Sequence, residues 1–350
     1  MALFDAEDER FGHQLPEPFR NVVHHNDSWR ESLFFIMQKR NEPGDVLILT
    51  LAHFPAHNEM DSLQLGRVGS SPVMARHART TAADPNNWNV GPVSIDIVEP
   101  KKKIHLLARK SDATPVELDI TFTARTAPYQ LRRGTMKAGN EVVWDQTHMF
   151  QSGTYNGTYT HNGTTYEVEN WWGQRDHSWG VRVHNRCPMW MWTPIQLEEG
   201  FLQVWHWEYP NGARVYTDGC FAPVGGGDPI PVIAFEHDLQ WQDAKGNDVS
   251  YGQFGEEVAG LAGVLNFTLE GGRKIVVEGT GRWAQRYSGI ATKAPNMLGG
   301  GLSEMQVTTT DGQRGSAIYE LTGQWHHRYF PIARGEKLPP LGVTPGELHS

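Results

Sequence analysis

Cysteine is nearly absent: only Cys187 and Cys220 occur among 350 residues. They form no CxxC motif, so a disulfide framework is excluded and free thiols in a reducing cytoplasm are expected. Positive charge is also in deficit. The net charge of −9 argues against a nucleic-acid backbone as partner. The one basic run, Lys101-Lys102-Lys103, follows Glu99-Pro100 and reads as a solvated turn. No apolar run approaches the length of a membrane span. The acidic stretch Met1–Arg10 has no apolar h-region, so no secretory signal is expected.

The common cofactor and nucleophile signatures are missing too. No GxGxxG follows a strand. Gly225-Gly226-Gly227 and Gly299-Gly300-Gly301 precede no helix, carry no Lys-Ser/Thr, and read as flexible loops. Neither GxSxG nor SxxK stands in a usable context. Among the histidines, His53 and His57 are separated by Pro55, which blocks helical presentation. His326 and His327 point to opposite faces if extended. No spacing matches HExxH or a facial triad, so neither metal nor organic cofactor is expected.

What is present is strand patterning. Val116, Leu118, Ile120, Phe122 and Ala124 alternate with polar residues, giving one buried and one wet face. Trp29–Gln38 and Asp45–His53 read as further strands, the second buried on both faces through Val46-Leu47-Ile48-Leu49. Val93–Ile97 and Ile104–Leu106 form a hairpin around Pro100–Lys103. Asn162-Gly163, Asn211-Gly212, Gly271-Gly272 and Asp311-Gly312 supply the positive φ values of tight hairpins. Short helices are expected only near Glu256–Ala262 and after Gly44. Residues 1–27 and the tail from Gly335 read as irregular. The chain is therefore expected to be all-β, as antiparallel meanders closed into two barrels or sandwiches. A polar run ending in Pro188 sets the expected domains at 1–184 and 185–350.

The densest chemistry lies in Trp171–Arg182, with three indoles, two guanidiniums, Asp176 and His177. Trp144–Gly153 followed by a hairpin and Gly173-Gln174-Arg175-Asp176-His177-Ser178-Trp179-Gly180 resembles the carotenoid hydratase (hydroxyneurosporene synthase)-like superfamily. That resemblance implies two tandem lipocalin-like β-barrels. It also implies a cofactor-independent enzyme acting on an apolar substrate, as a hydratase, cyclase or isomerase. Carried over on the motif, the role of proton donor to an alkene falls on Asp176.

Strand alternation complicates a simple Asp-His pair. Gln174, Asp176 and Ser178 share one face; Arg175, His177 and Trp179 share the other. Either Asp176 faces a cavity as acid or base, or Arg175, His177 and Trp179 line it. A structural alternative stands beside both, since lipocalin-type barrels close one end with a Gly-x-Trp and an Arg. Trp172, Trp179, Trp190 and Trp205 are candidate walls for a flat ligand. Gln203, His206 and Glu208 interrupt an aromatic strand and need partners if buried. His148 and His53 are further pocket candidates. The expected function is a lyase acting by acid/base catalysis through Asp176, His177 and Arg175, on a small hydrophobic or aromatic substrate. An isomerase or cyclase, or a non-catalytic hydrophobic-ligand binder, remain open, as does homodimerisation.

Overall fold

The computed structural model describes residues 4–13, 26–81, 84–138, 140–184, 187–252, 255–287, 298–324 and 327–331. The expectations for Pro16–His25, for His326 and for the tail from Gly335 lie outside them. The described chain is all-β, with two barrel-like sheets, as expected. Among the described residues no helix is long and apolar enough to cross a membrane.

The first sheet is built from β1 (Trp29–Gln38), β2 (Val46–Phe54), β3 (Glu59–Val68), β4 (Ser71–Thr80), β5 (Asn89–Val90), β6 (Val93–Glu99), β7 (Lys103–Ala108), β8 (Glu117–Ala124), β9 (Tyr129–Gln130), β10 (Gly134–Ala138), β11 (Glu141–His161) and β12 (Thr164–Arg182). Its order is β4-β3-β2-β1-β12-β11-β8-β7-β6-β5, with β9 and β10 paired to β11. The two ends of that order approach each other, and the Ser62 hydroxyl on β3 donates to the Val90 carbonyl on β5 at 3.1 Å. Alternation places Leu33, Phe35, Leu49, Ile104, Ile120, Phe122 and Tyr155 in one buried core.

The second sheet is built from β13 (Met189–Trp192), β14 (Ile195–Gln196), β15 (Gly200–Glu208), β16 (Arg214–Pro223), β17 (Ile230–Gln242), β18 (Asp248–Val249), β19 (Gly260–Leu269), β20 (Lys274–Arg286), β21 (Leu298–Thr309) and β22 (Arg314–Gln324). Here the ring closes, because β15 pairs with both β14 and β16. Its core holds Leu202, Val204, Phe235, Leu239, Trp241, Leu265 and Tyr319. Two compact units result. One comprises 1–133, 145–182 and 222–229; the other comprises 134–144, 183–221 and 230–350.

The hairpin turns fall where Asn-Gly, Gly-Gly and Asp-Gly stand. Asn162 and Gly163 take φ of 50° and 77°, the left-handed pair that a two-residue turn requires. The hairpin they close is far longer than the local pattern predicts, with strands of 21 and 19 residues. Two expectations are corrected. No helix forms at Glu256–Ala262 or after Gly44: β19 begins at Gly260 and β2 at Val46. Gly299–Gly301 is not a loop but part of β21. A Cβ at Gly300 would lie 1.9 Å from the Leu321 carbonyl oxygen, so those glycines permit close backbone approach.

Gly173 has the same function beside the motif. A Cβ there would stand 1.9 Å from the Ile36 carbonyl oxygen and 2.8 Å from the Tyr155 ring. Gly173→Ala is expected to destabilise the protein by roughly 1–3 kcal/mol through overpacking, read as a lowered Tm in thermal unfolding.

Candidate functional site

β12 pairs antiparallel with β1, with Leu33 opposite His177, Phe34 opposite Asp176 and Phe35 opposite Arg175. Leu33 and Phe35 belong to the first core. Arg175 and His177 share that interior face, since strand side chains alternate. The Arg175 guanidinium lies 5.7 Å from the Phe122 ring centroid, and the His177 ring 5.8 Å from that of Phe11. Asp176 is on the opposite face with Ser178, whose hydroxyl is 3.2 Å from that of Ser32. There Asp176 Oδ2 lies 3.6 Å from His148 Nε2. Trp172 has the same parity as Asp176 and is gripped by the guanidiniums of Arg40 and Arg125, 4.7 and 4.4 Å from its ring. Asp176 and His177 are therefore not one dyad.

The interior face carries a buried ionic network whose other half comes from residues 4–13, a segment with a single 3-10 turn at Glu7–Glu9. Arg175 Nη1 and Nη2 donate to Glu9 Oε2 and Oε1 at 2.7 and 2.6 Å. Its Nε donates to Gln151 Oε1 at 2.9 Å. Burial alone would raise the Glu9 pKa, but the Arg175 charge overrides it and the pKa is lowered.

Glu31, on β1, is the centre of this network. Oε2 accepts the backbone N–H groups of Gly12 and His13 at 2.9 and 3.1 Å. Oε1 accepts from His13 Nδ1, and from His177 Nε2 at 3.0 Å. His13 Nε2 reaches Asp8 Oδ1 at 3.2 Å. Burial opposes both charges, yet the His13–Glu31 attraction prevails. It raises His13 to about 9 and lowers Glu31 to about 2. His13 is thus an imidazolium and Glu31 a carboxylate across the neutral range.

His177 is different. Burial lowers its pKa, with Glu31 opposing only in part, so it is neutral. Because Nε2 faces an ionised carboxylate, the proton sits on Nε2 and Nδ1 carries a lone pair. Nδ1 is buried and, among the described residues, has no hydrogen-bond partner. Around the ring lie Phe4 at 5.9 Å, Phe11 at 5.8 Å and Trp179 at 5.1 Å between centroids. Trp179 itself stacks on His13 at 3.9 Å. His53, opposite Glu31 on β2, stacks nearly parallel to Phe11; burial lowers its pKa as well.

The second unit holds a separate cluster. On β15, Leu202 and Val204 enter the core, so His206 and Glu208 face inward with them, while Gln203, Trp205 and Trp207 face the other way. All nine residues of β15 are buried. Gln203 Nε2 lies 3.9 Å from Cys220 Sγ, Trp205 packs edge-on to Trp192, and Trp190 Nε1 donates to Glu320 at 2.8 Å. Glu208 accepts from His206, His237 and His327 at 3.2, 2.7 and 3.0 Å. Those three hydrogen bonds overcome burial and hold its carboxyl well below the usual range.

The folded chain thus brings together Arg175, His177, Trp179 and His53, and leaves Asp176, His148 and Trp172 on another face. Sequence reasoning missed Asp8, Glu9, His13 and Glu31 in the first unit, and His237 and Tyr329 in the second; His327 was weighed but given no partner. Glu31 carried one available signal: it shares parity with Leu33 and Phe35, a charged position on an apolar face.

Two barrel-like antiparallel sheets, each with a carboxylate bracketed by imidazoles in its interior, define a tandem lipocalin-like protein with a buried polar site. The chain belongs to a family of unknown function (DUF8625), which it matches over residues 6–295. No curated protein matches it. Among solved structures it is similar to a provisional AttH from Nitrosomonas europaea, with TM-score 0.59, 11% identity and coverage of 86% of this chain and 94% of that one. It is similar also to CghA solved with Sch210972, with TM-score 0.52, 10% identity and coverage of 89% and 92%. Kievitone hydratase from Nectria haematococca follows at TM-score 0.47 and 11% identity, covering 86% and 92%. At these identities the likeness to the first two establishes the fold that the motif resemblance implied, and not a reaction.

Proposed function

We propose that this protein is a lyase of the hydratase type, acting on an apolar, flat or unsaturated substrate, with His177 rather than Asp176 as the group that moves the proton. The observation that carries this reading is the buried Nδ1 lone pair of His177, fixed in its tautomer by Glu31 and ringed by Phe4, Phe11 and Trp179. A carboxylate that orients a neutral imidazole makes a general base, here with the His13 ring 5.5 Å from that of His177. In the dehydrating direction, Nδ1 takes a proton from carbon. The same imidazole returns it to the departing hydroxyl, which leaves as water. The reverse sequence hydrates a double bond.

His177 has no exposed surface, so substrate reaches Nδ1 when rings packed around it, such as Phe4 and Phe11, move aside. A planar apolar group is suited to replace those rings. That complete cover also favours the second reading, a hydrophobic-ligand binder in which the network only fastens residues 4–13 to the barrel.

The test is incubation in isotopically labelled water with a panel of apolar alkenes and their alcohols. Wild type is expected to give products that gain or lose one water, and His177→Gln to reduce turnover by about 10²–10⁴-fold while keeping the far-ultraviolet spectrum. Ligand retention without any change of mass would leave the binder; isomerised product without label would leave an isomerase. Full activity in His177→Gln would exclude His177 as the base.

A further inference from the structure

The two imidazole–carboxylate clusters look alike in composition, yet their hydrogen bonds give opposite results. In the first, both ring nitrogens of His13 face carboxylates, and Glu31 Oε2 is taken by two backbone N–H groups. His13 must carry both protons there, so it has no lone pair to offer a cation. That cluster is an ion-pair network.

The second cluster is organised otherwise. His206 and Glu208 stand two apart on β15, so both project to the interior face, and His237 joins them from β17. Each of the two histidines has its Nδ1 on a hydroxyl: His206 on Thr217 Oγ1 and His237 on Tyr329 OH, both at 2.7 Å. With no cation bound, each Nε2 donates to the Glu208 carboxylate and each Nδ1 accepts from its hydroxyl. Because a hydroxyl accepts as readily as it donates, a cation entering among the three groups shifts each ring proton to Nδ1, where the hydroxyl accepts it, and frees Nε2 as a ligand. Both Nε2 atoms converge on Glu208 Oε1, and the three atoms lie within 4.8 Å of one another. Ligands about 2.1 Å from a tetrahedral first-row ion stand roughly 3.4 Å apart. The observed separations of 3.2 and 2.7 Å from Oε1 need only slight widening to admit one.

His327 separates from this set. Its Nδ1 accepts the Tyr329 backbone N–H at 3.2 Å, so its proton is on Nε2, which donates to Glu208 Oε2 at 3.0 Å. His327 therefore holds the carboxylate oxygen that the ion would not use. Ligating imidazoles tethered through Nδ1 and a ligating carboxylate held by an outer donor are the usual supports of a protein metal site.

We propose that His206, Glu208 and His237 form a two-histidine, one-carboxylate site for a divalent first-row transition ion such as Zn²⁺, with His327 as the positioning residue for Glu208. The nitrogen–oxygen donor set suits such ions and not Ca²⁺ or Mg²⁺. No linear motif announces it, because its ligands come from β15 and β17. The half-exposed Arg328 is its electrostatic opponent, with Nε 3.7 Å from Glu208 Oε2 and Nη2 3.1 and 3.3 Å from the nitrogens of His237. Removing that guanidinium takes a positive charge from beside the ion.

The full-length protein, stripped with a chelator and dialysed, is titrated with ZnSO₄ by calorimetry and with CoCl₂ by visible absorption. One ion per chain is expected, with d–d bands for cobalt. His237→Gln, which keeps a donor for Glu208, is expected to weaken binding about 100-fold or more. His327→Gln is expected to weaken it about 10- to 100-fold, and Arg328→Ala to tighten it. Wild type that binds no ion, or an ion retained at full affinity in both His237→Gln and His327→Gln, would overturn the site. Unaltered circular dichroism in the variants separates lost binding from lost fold. A thermal shift of wild type with Zn²⁺ that Arg328→Ala enlarges is the remaining supporting result.

Discussion

Arg175→Met is expected to lower the unfolding free energy by about 3–5 kcal/mol, read as a reduced midpoint in urea with an unchanged slope. The reason is what it leaves behind. Arg175 is fully buried, and its guanidinium is occupied by Glu9 on two nitrogens and by Gln151 on the third. Methionine fills much of the stem volume but strands the Glu9 carboxylate, which among the described residues retains only the Lys101 backbone N–H at 2.6 Å. An uncompensated buried charge is worse than none. Arg175→Met combined with Glu9→Leu should therefore recover part of the loss. If the double variant is less stable than Arg175→Met alone, the pair is not the dominant contribution. The same cycle reports on residues 4–13, because Glu9 anchors that segment to β12. Faster limited proteolysis within it is expected for Arg175→Met.

Much of this architecture could be read from the residues in order. Period-two alternation over Val116–Arg125 matches β8, and Asn162-Gly163 marks the hairpin joining β11 to β12. Alternation also separated Asp176 from Arg175, His177 and Trp179, and the register with β1 keeps them apart. The obscure parts have a common cause. Asp8, Glu9 and His13 lie in a segment without periodicity, and their significance comes from long-range partners: His13 meets Glu31, and Glu9 meets a residue 166 positions away. Glu208 gathers His237 and His327 across 29 and 119 positions, a convergence that closure of the second barrel creates. Gly299–Gly301 misled because three glycines resemble a loop when their tight backbone neighbours are unknown.

Glu31 yields the prediction that separates ion pairing from mere packing. In wild type the His13 pKa is raised from 6.5 to about 9. A raised basic pKa means that the folded state binds the proton more tightly, so this stability is complete below about pH 6.5 and is lost as pH climbs through 9. The Glu31 pKa is lowered from 4.5 to about 2. A lowered acidic pKa gives stability that is present above about pH 4.5 and lost as pH falls through 2. Both shifts express one interaction, so the two are not summed; together they place its plateau between about pH 4.5 and 6.5. Glu31→Gln keeps the shape of the side chain but removes the charge. It is expected to cost roughly 2–4 kcal/mol on that plateau. It should also abolish the alkaline decline, because burial then acts on His13 against the attraction of Asp8 alone. Urea denaturation of wild type and Glu31→Gln at about pH 6 and pH 9 measures both effects. Parallel declines in the two proteins would show that His13 and Glu31 are not the titrating pair. In the same variant, the amide no longer presents an ionised acceptor to His177 Nε2. The tautomer that exposes the Nδ1 lone pair is then no longer enforced, and turnover should fall with it even where the fold survives.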